Sequence, residues 1–241
     1  MMRGLIDFHS HILPYVDDGS KDVQMSLDML QKQREHGVDH VMLTPHFYPE
    51  HDTPEHFLAA RAEAFARLQE ACIRQGDLPQ LYLGAEVAYF RGISECEELH
   101  KLCLHDTKYV LVELPMTRWD GQIYEELKGI RHKQGLTPVL AHVDRYLPRF
   151  GAKKLLMELA QLPVLVQVNA ASFLRRSSAG LMLWLMEREI IHLLGSDSHD
   201  MTRRAPNLGD AAQVIRRKLG DDALERFHEI GQTILNIPVS M

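Results

Sequence analysis

Residues 4–14 read GLIDFHSHILP, an apolar run followed by two histidines that are one residue apart. The run Gly4–Phe8 predicts a short strand that is apolar on both faces, as in a parallel sheet covered on both sides. Alternate residues of a strand point to the same side, so His9 and His11 can bind one metal ion. This stretch therefore predicts a buried strand with a metal site at its end.

The same pattern recurs along the chain. Six further apolar runs predict strands at His40–Thr44, Leu81–Glu86, Tyr109–Leu114, Pro138–His142, Val164–Asn169 and Ile190–Gly195. Amphipathic stretches predict helices over about 22–36, 54–76, 123–133, 152–161, 179–189, 207–218 and 221–235. Strand–helix alternation indicates a parallel sheet. Seven strands without a nucleotide-binding glycine pattern favour a closed or distorted barrel, with the active site at the carboxyl ends of the strands.

Composition and charge exclude several classes of protein. The 241 residues are 45% hydrophobic and 25% charged, which is typical of a globular protein, and we expect one domain over 1–241. The net charge of −6 disfavours a general nucleic-acid binder. No apolar run approaches the roughly 20 residues of a membrane helix, and no secretory signal is visible. Three cysteines without a C-x-x-C pair indicate reduced thiols in a cytoplasmic protein.

Metal-ligating side chains follow most of the predicted strands. A single histidine at a strand end is usually an ordinary polar residue, but here six of the seven strands end in His, Asp or Glu. The nine candidate ligands are His9, His11, Asp18, His46, Glu86, Glu113, His142, Asp197 and His199. A set of histidines and carboxylates without cysteine suits manganese, zinc or iron. Nine ligands are too many for one tetrahedral ion, so we expect two or three ions, which can activate water for phosphoryl transfer.

Arginines follow three of the same strands. The pairs are Arg145 and Arg149, Arg175 and Arg176, and Arg203 and Arg204. The planar guanidinium matches phosphate oxygens, although any one of these arginines could be a solvated surface charge. Together with the metal ligands they predict an enzyme that acts on a phosphomonoester.

Motifs spread over most of the chain resemble one family. They are DFHSHILP (7–14), DDGS (17–20), TPH (44–46), GAE (84–86), VELP (112–115), AHVDRY (141–146) and GSDSH (195–199). These motifs resemble the polymerase-and-histidinol-phosphatase (PHP) superfamily, and more narrowly the CpsB/CapC-type protein-tyrosine phosphatases of bacterial capsule and exopolysaccharide operons. The resemblance implies a distorted (β/α)7 TIM-like barrel, the PHP fold.

The resemblance also implies a centre of three divalent ions, most often manganese, with zinc or iron as alternatives. His9, His11, Glu86 and Asp197 would hold the first ion. Glu86, Glu113 and His142 would hold the second, with Glu86 bridging the two, and Asp18, His46 and His199 would hold the third. Arg145 matches the phosphate-contacting arginine of the family, and Arg204 matches the second one, with the adjacent Arg203 as an alternative.

The implied reaction is hydrolysis of phosphotyrosine by a metal-activated hydroxide. The implied substrate is the tyrosine-rich tail of a bacterial tyrosine kinase that controls polysaccharide synthesis. A Cys-x5-Arg loop is absent from the sequence, which disfavours a phosphocysteine route. Two alternatives stay open: a small-molecule phosphatase, such as one acting on histidinol phosphate, and a non-catalytic metal-binding regulator of a kinase. A deep closed pocket would favour the small molecule, and a shallow exposed site would favour a peptide.

Overall fold

The computed structural model describes residues 4–237 as parallel strands alternating with helices. The strands are β1 (Leu5–Ser10), β2 (Val38–Leu43), β3 (His46–Phe47), β4 (Gln80–Leu83), β5 (Glu86–Ala88), β6 (Tyr109–Glu113), β7 (Thr137–Leu140), β8 (Leu165–Asn169) and β9 (Leu193–Gly195). The helices are α1 (Val23–Glu35), α2 (Pro54–Gln75), α3 (Gly121–Gln134), α4 (Leu147–Phe150), α5 (Ala152–Leu159), α6 (Ala171–Leu174), α7 (Ala179–Glu187), α8 (Leu208–Leu219) and α9 (Asp222–Leu235). Short 3-10 turns occupy Ile93–Glu95, Glu97–Leu102 and Val143–Arg145.

Side-chain caps fix where the first three long helices begin. Asp22 accepts a hydrogen bond from the backbone N–H of Met25, three residues on, and Asp120 caps α3 in the same way. Thr53 caps α2, and Pro54 occupies the first helical position, where its missing N–H has no helical partner to lose. These local signals explain why the predicted starts of these helices lie within two residues of the observed ones.

The sheet is parallel throughout and curls around a buried core. One group of strands runs in the order β1-β2-β4, and the other in the order β3-β5-β6-β7-β8-β9. Apolar side chains from both faces of the strands are buried, which matches the apolar runs of the sequence. The chain thus has a mixed α/β fold built on a curled parallel sheet.

One break follows the predicted second strand, and another divides the predicted third strand. Pro45 separates β2 from β3, because proline cannot donate a ladder hydrogen bond. Gly84 separates β4 from β5, and the backbone bonds from Gly84 N to Leu43 O (2.8 Å) and from Glu86 N to Pro45 O (3.0 Å) carry the pairing across the break. Beyond the two breaks, His46 on β3 pairs with Glu86 on β5, which places these two candidate ligands side by side.

Other differences from the sequence prediction lie at strand ends. The fifth predicted strand ends at Leu140 and not at His142, because His142 has a left-handed backbone with φ of 35°. The last strand begins at Leu193, three residues later than predicted. No helix in residues 4–237 is long and apolar enough to cross a membrane.

Candidate metal centre

The carboxyl ends of the strands bring all nine predicted ligands to one place. Glu86, only 1% exposed, lies at the middle. Its Oε2 is 3.1 Å from His9 Nε2, 3.3 Å from His11 Nε2 and 3.0 Å from His46 Nδ1. Its Oε1 is 3.0 Å from His142 Nε2. One buried carboxylate therefore touches four imidazoles.

A second part of the cluster lies closer to solvent. Asp18 Oδ1 is 3.4 Å from His199 Nε2 and 3.6 Å from His46 Nε2. The His11 ring packs against both histidines, with ring centroids 3.9 Å from His199 and 4.4 Å from His46. Asp18 is 69% exposed, so this side of the cluster opens directly to solvent.

The side chains fit divalent ions. Two donor atoms that are each about 2.1 Å from one ion lie roughly 3–3.5 Å apart, as the Glu86 and histidine atoms do. Both Glu86 oxygens, both His142 ring nitrogens and His199 Nε2 are buried without a hydrogen bond of acceptable geometry among the described residues. Buried polar atoms are rarely left unpaired, so a ligand accounts for their arrangement.

The side chains that lie close enough to share an ion form overlapping sets, whereas the sequence prediction shared only Glu86 between ions. The sets whose donor atoms lie within 4.8 Å of one another are His11, Asp18, His46 and His199; His9, His11 and Glu86; and His46, Glu86 and Glu113. His142 lies outside these sets, but its Nε2 is 3.2 Å from Glu113 Oε1. Asp197 Oδ1 lies 3.7 Å from His9 and 3.5 Å from His11. His11 and His46 thus each belong to two sets, whereas the predicted partition assigned each to one.

Sequence reasoning missed Asp17 as a positioning residue. The buried Asp17 Oδ2 accepts a hydrogen bond from His11 Nδ1 at 2.6 Å and from the backbone N–H of His46 at 3.0 Å. Its Oδ1 accepts from Gly19 N at 2.9 Å. A carboxylate behind a histidine fixes the ring tautomer and leaves Nε2 free for a metal. In the sequence, the position of Asp17 in the Asp-Asp-Gly motif was the feature that could have indicated this role.

Two residues inside the strands orient further ligands. Gln167 on β8 has its Oε1 3.2 Å from His9 Nδ1 and accepts from the backbone N–H of His142 at 2.6 Å. Asp7 accepts from the backbone N–H groups of His9 (3.2 Å) and Ser196 (2.8 Å), which ties β1 to β9. Each is a polar residue within a buried apolar run, and this unusual position in the sequence could have indicated their role.

Glycine allows the two histidine-bearing segments to approach each other. A Cβ at Gly195 would lie 2.5 Å from the Cβ of His9, which is closer than two carbon atoms can approach. Asp197 N donates to His9 O at 2.7 Å, and His11 N donates to Ser198 O at 2.9 Å. These bonds hold the His-x-His and Asp-x-His motifs side by side.

Opposite charges stabilise the cluster. Burial would lower the pKa of His11, but Asp17 and Glu86 outweigh it and raise that pKa to about 10. Burial would raise the pKa of Glu86, but His9 and the other surrounding histidines hold it well below its ordinary value. Burial also opposes charge on Asp197, and the nearby His9 and Arg145 nevertheless lower its pKa. The carboxylates are therefore ionised and available to cations, and a cation that binds His11 Nε2 would take the place of the proton that this high pKa implies.

Both predicted phosphate-contacting arginines lie at the rim of the cluster. Arg145 pairs with Asp197 Oδ2, and Arg204 Nη2 is 2.5 Å from Asp197 Oδ1. A small cavity of about 90 Å³ beside Asp197 is lined by both of them and also by Arg175 and Arg203. Four of the six predicted arginines thus meet at one cavity. The other two are placed elsewhere: Arg149 lines a separate pocket, and Arg176 is exposed.

The fold and the site define a class: a parallel α/β protein with a cluster of histidines and carboxylates at the strand ends and arginines at its rim. The chain belongs to the CpsB/CapC family of capsular polysaccharide synthesis, whose model matches residues 5–236.

Named relatives and a solved structure support this family assignment. The chain is 28% identical to the tyrosine-protein phosphatase CpsB of Streptococcus agalactiae, over 96% of this chain and 98% of the relative. It is 28% identical to the tyrosine-protein phosphatase YwqE of Bacillus subtilis, over 96% and 91%. The fold matches a structure from work on YwqE of Bacillus subtilis and CpsB of Streptococcus pneumoniae, described as metal-dependent tyrosine phosphatases. The TM-score is 0.84 at 24% identity, over 98% of this chain and 96% of the other.

Proposed function

We propose that this chain is a metal-dependent protein-tyrosine phosphatase. The observation that carries the proposal is the cluster of nine histidines and carboxylates with two arginines at its rim, in a chain of the CpsB/CapC family. Its relatives from Streptococcus and Bacillus are named tyrosine-protein phosphatases.

The nine side chains are proposed as ligands of three divalent ions, with manganese favoured over zinc or iron. The pairing of Glu86 with four imidazoles and the absence of cysteine from the cluster groups in the described chain support hard or borderline ions. Bound divalent ions would lower the pKa of water and neutralise charge on a phosphate. A distorted (β/α)7 barrel is proposed as the scaffold, because a parallel bridge joins Ser10, at the end of the first strand, to Ser198, three residues after the last strand.

Arg145 and Arg204 are proposed to bind the phosphate oxygens. Each side chain is about one third exposed, so each guanidinium can face both Asp197 and an incoming anion. The negative charge that develops on the phosphate oxygens would be stabilised by donors already in place before the reaction. Cys103, the buried cysteine, donates weakly to Leu99 O and lies outside the cluster groups, so water is the expected nucleophile.

The openness of the site favours a protein substrate over a small molecule. Asp18 is 69% exposed and Glu113 is 23% exposed, so the ligands reach the surface of the protein. A phosphotyrosine extends its phosphate far enough from the backbone to reach such a shallow site. A phosphorylated bacterial tyrosine kinase of the polysaccharide pathway, acting in the cytoplasm, is the proposed partner, in keeping with the family's role in capsule synthesis.

Activity of metal-stripped protein after adding back Mn²⁺, Zn²⁺, Fe²⁺ or Mg²⁺ tests this function. We expect at least one ion to restore hydrolysis of a phosphotyrosine peptide in preference to histidinol phosphate. E86Q should abolish that activity because it removes the central charge, whereas E63Q, an exposed glutamate paired with Arg67, should not. Hydrolysis that survives both chelation and E86Q would refute the metal-dependent mechanism.

A further inference from the structure

A pocket of about 520 Å³ lies beside the metal centre and is separate from the arginine cavity. Its lining includes Arg118, Trp119, Tyr124, Arg149, Phe150 and Lys154. Arg118 and Trp119 follow β6, and Arg149 and Phe150 follow β7. The metal-ligand candidate Glu113 is the last residue of β6, and His142 follows β7. The pocket therefore lies at the carboxyl ends of the strands, as the metal centre does.

One buried tyrosine separates the pocket from the centre. The Tyr146 ring centroid is 5.8 Å from that of His142 on one side and 5.1 Å from that of Trp119 on the other. An extended peptide advances about 3.3 Å per residue. A chain whose phosphotyrosine reaches the metal centre can thus place a side chain only a few residues away in this pocket.

The floor of the pocket is aromatic and rigid. Trp119 is 6% exposed, and its Nε1 donates to Pro115 O at 3.1 Å. It packs edge-on against Phe150 at 5.5 Å and against Tyr124 at 6.3 Å. Such a surface suits a planar ring or the stem of a longer side chain.

The rim of the pocket carries an excess of positive charge. Its carboxylate, Glu158, accepts a hydrogen bond from Tyr124 Oη at 2.5 Å and lies 3.7 Å from Lys154 Nζ. Within residues 4–237, the guanidiniums of Arg118 and Arg149 contact no carboxylate, and the nearby Asp120 faces Arg91. Two arginines are thus available for an anion.

We propose that this pocket is a second subsite of the enzyme, which binds an anionic side chain of the substrate a few residues from the phosphotyrosine under attack. The proposal rests on the phosphatase function proposed above. The occupant is either a second phosphotyrosine or an acidic residue, since both present oxygen anions to arginine. The aromatic floor adds a surface on which the ring of a phosphotyrosine can pack.

The experiment compares peptides that share one phosphotyrosine and differ at a second position, two to five residues away on either side. That position holds phosphotyrosine, glutamate, tyrosine or alanine. We measure kcat and KM for each peptide with metal-loaded protein, and Kd for the labelled peptides by fluorescence anisotropy with the metal removed. Hydrolysis of the alanine peptide tests the phosphatase function, and only the ratios between peptides test the subsite.

At the best spacing, we expect an anionic second residue to lower KM and Kd about fivefold relative to alanine, with little change in kcat. The ratio of KM for the alanine peptide to KM for the anionic peptide should fall close to one in the variant R118A/R149A. The matched control R217A/K218A removes two exposed cations of α8 and should keep the ratio. A benefit from phosphotyrosine alone would identify the phosphorylated ring as the occupant, and an equal benefit from glutamate would identify a carboxylate.

Two results would overturn the subsite. One is a ratio of one in the wild-type protein at every spacing. The other is a ratio that R118A/R149A leaves unchanged. Because each variant is compared with itself on two peptides, a general loss of activity or stability cancels from the ratio.

Discussion

The substitution Asp17→Asn tests whether a carboxylate that is not itself a predicted ligand controls metal binding. Asp17 accepts three hydrogen bonds, from His11 Nδ1, His46 N and Gly19 N. Asparagine has one acceptor oxygen and one NH₂ group. If its oxygen faces His11 and His46, its NH₂ group faces the N–H of Gly19; if it is flipped, the NH₂ group faces the two histidines. Either orientation places donor against donor at a buried position.

The magnitude follows from these contacts. The bond to His11 changes from a charge-assisted bond to a neutral one, which is about half as strong. At least one buried N–H loses its acceptor, at about 1–3 kcal/mol. A total of about 2 kcal/mol corresponds to a roughly 30-fold weaker metal affinity, within the 10–100-fold range found when such supporting groups are changed.

The assay measures metal affinity by calorimetric titration of metal-stripped protein with Mn²⁺ or Zn²⁺. Phosphotyrosine hydrolysis is measured in parallel. The matched control is D52N, because Asp52 Oδ1 makes an equally short 2.6 Å contact to His56 Nδ1, whose side chain is 76% exposed. Circular dichroism of the metal-free proteins separates weaker metal binding from loss of folding. A folded D17N protein that binds metal within twofold of wild type would refute the positioning role of Asp17.

Three further predictions follow from single contacts. Arg204→Ala should lower kcat/KM for a phosphotyrosine peptide at least tenfold, because one phosphate donor is lost, and Arg204→Lys should restore only part of it; full activity of the alanine variant would contradict this role. Tyr146→Phe should lower the free energy of unfolding in urea by about 2 kcal/mol, because the buried hydroxyl donates to Leu114 O and accepts from Leu114 N; an unchanged midpoint would argue against it. Burial raises the pKa of Cys103 to about 12, so its thiolate stays scarce as the pH rises from 7 to 9. Iodoacetamide should then modify the half-buried Cys96 first, as read by peptide mass spectrometry, and faster labelling of Cys103 would contradict the structure.

The positions of the strands and of the candidate ligands could be predicted because both depend on local pattern. A short apolar run ending in a polar side chain places that side chain at the carboxyl edge of a parallel sheet, and the structure gathers His9, Glu86 and Asp197 there. The breaks between β2 and β3 and between β4 and β5 were less visible. Pro45 signals an interruption directly, whereas Gly84 shows its role only through the close packing around it.

The supporting residues were harder to predict because their roles depend on tertiary contacts. Asp7 stands two residues before His9, on the same side of β1, but its partner Ser196 is 189 residues away. Gln167 likewise joins His9 to His142 across two strands. The left-handed backbone of His142 has only a weak local signal, because histidine adopts this conformation more often than most residues but is still found there uncommonly.

Asp197 connects the metal centre with the proposed phosphate site. Its Oδ1 faces His9, His11 and Arg204, and its Oδ2 pairs with Arg145 and accepts from Asn169 Nδ2 at 2.7 Å. Because the carboxylate is 3% exposed, these contacts are screened little by solvent, unlike an exposed pair such as Arg67 and Glu63, which contributes at most about 1 kcal/mol. The same buried charge therefore holds both guanidiniums at the edge of the cluster. A cation at Oδ1 would add positive charge beside those guanidiniums, and a phosphate dianion is the group that would balance it. Metal binding and phosphate binding are thus expected to strengthen each other through this one aspartate.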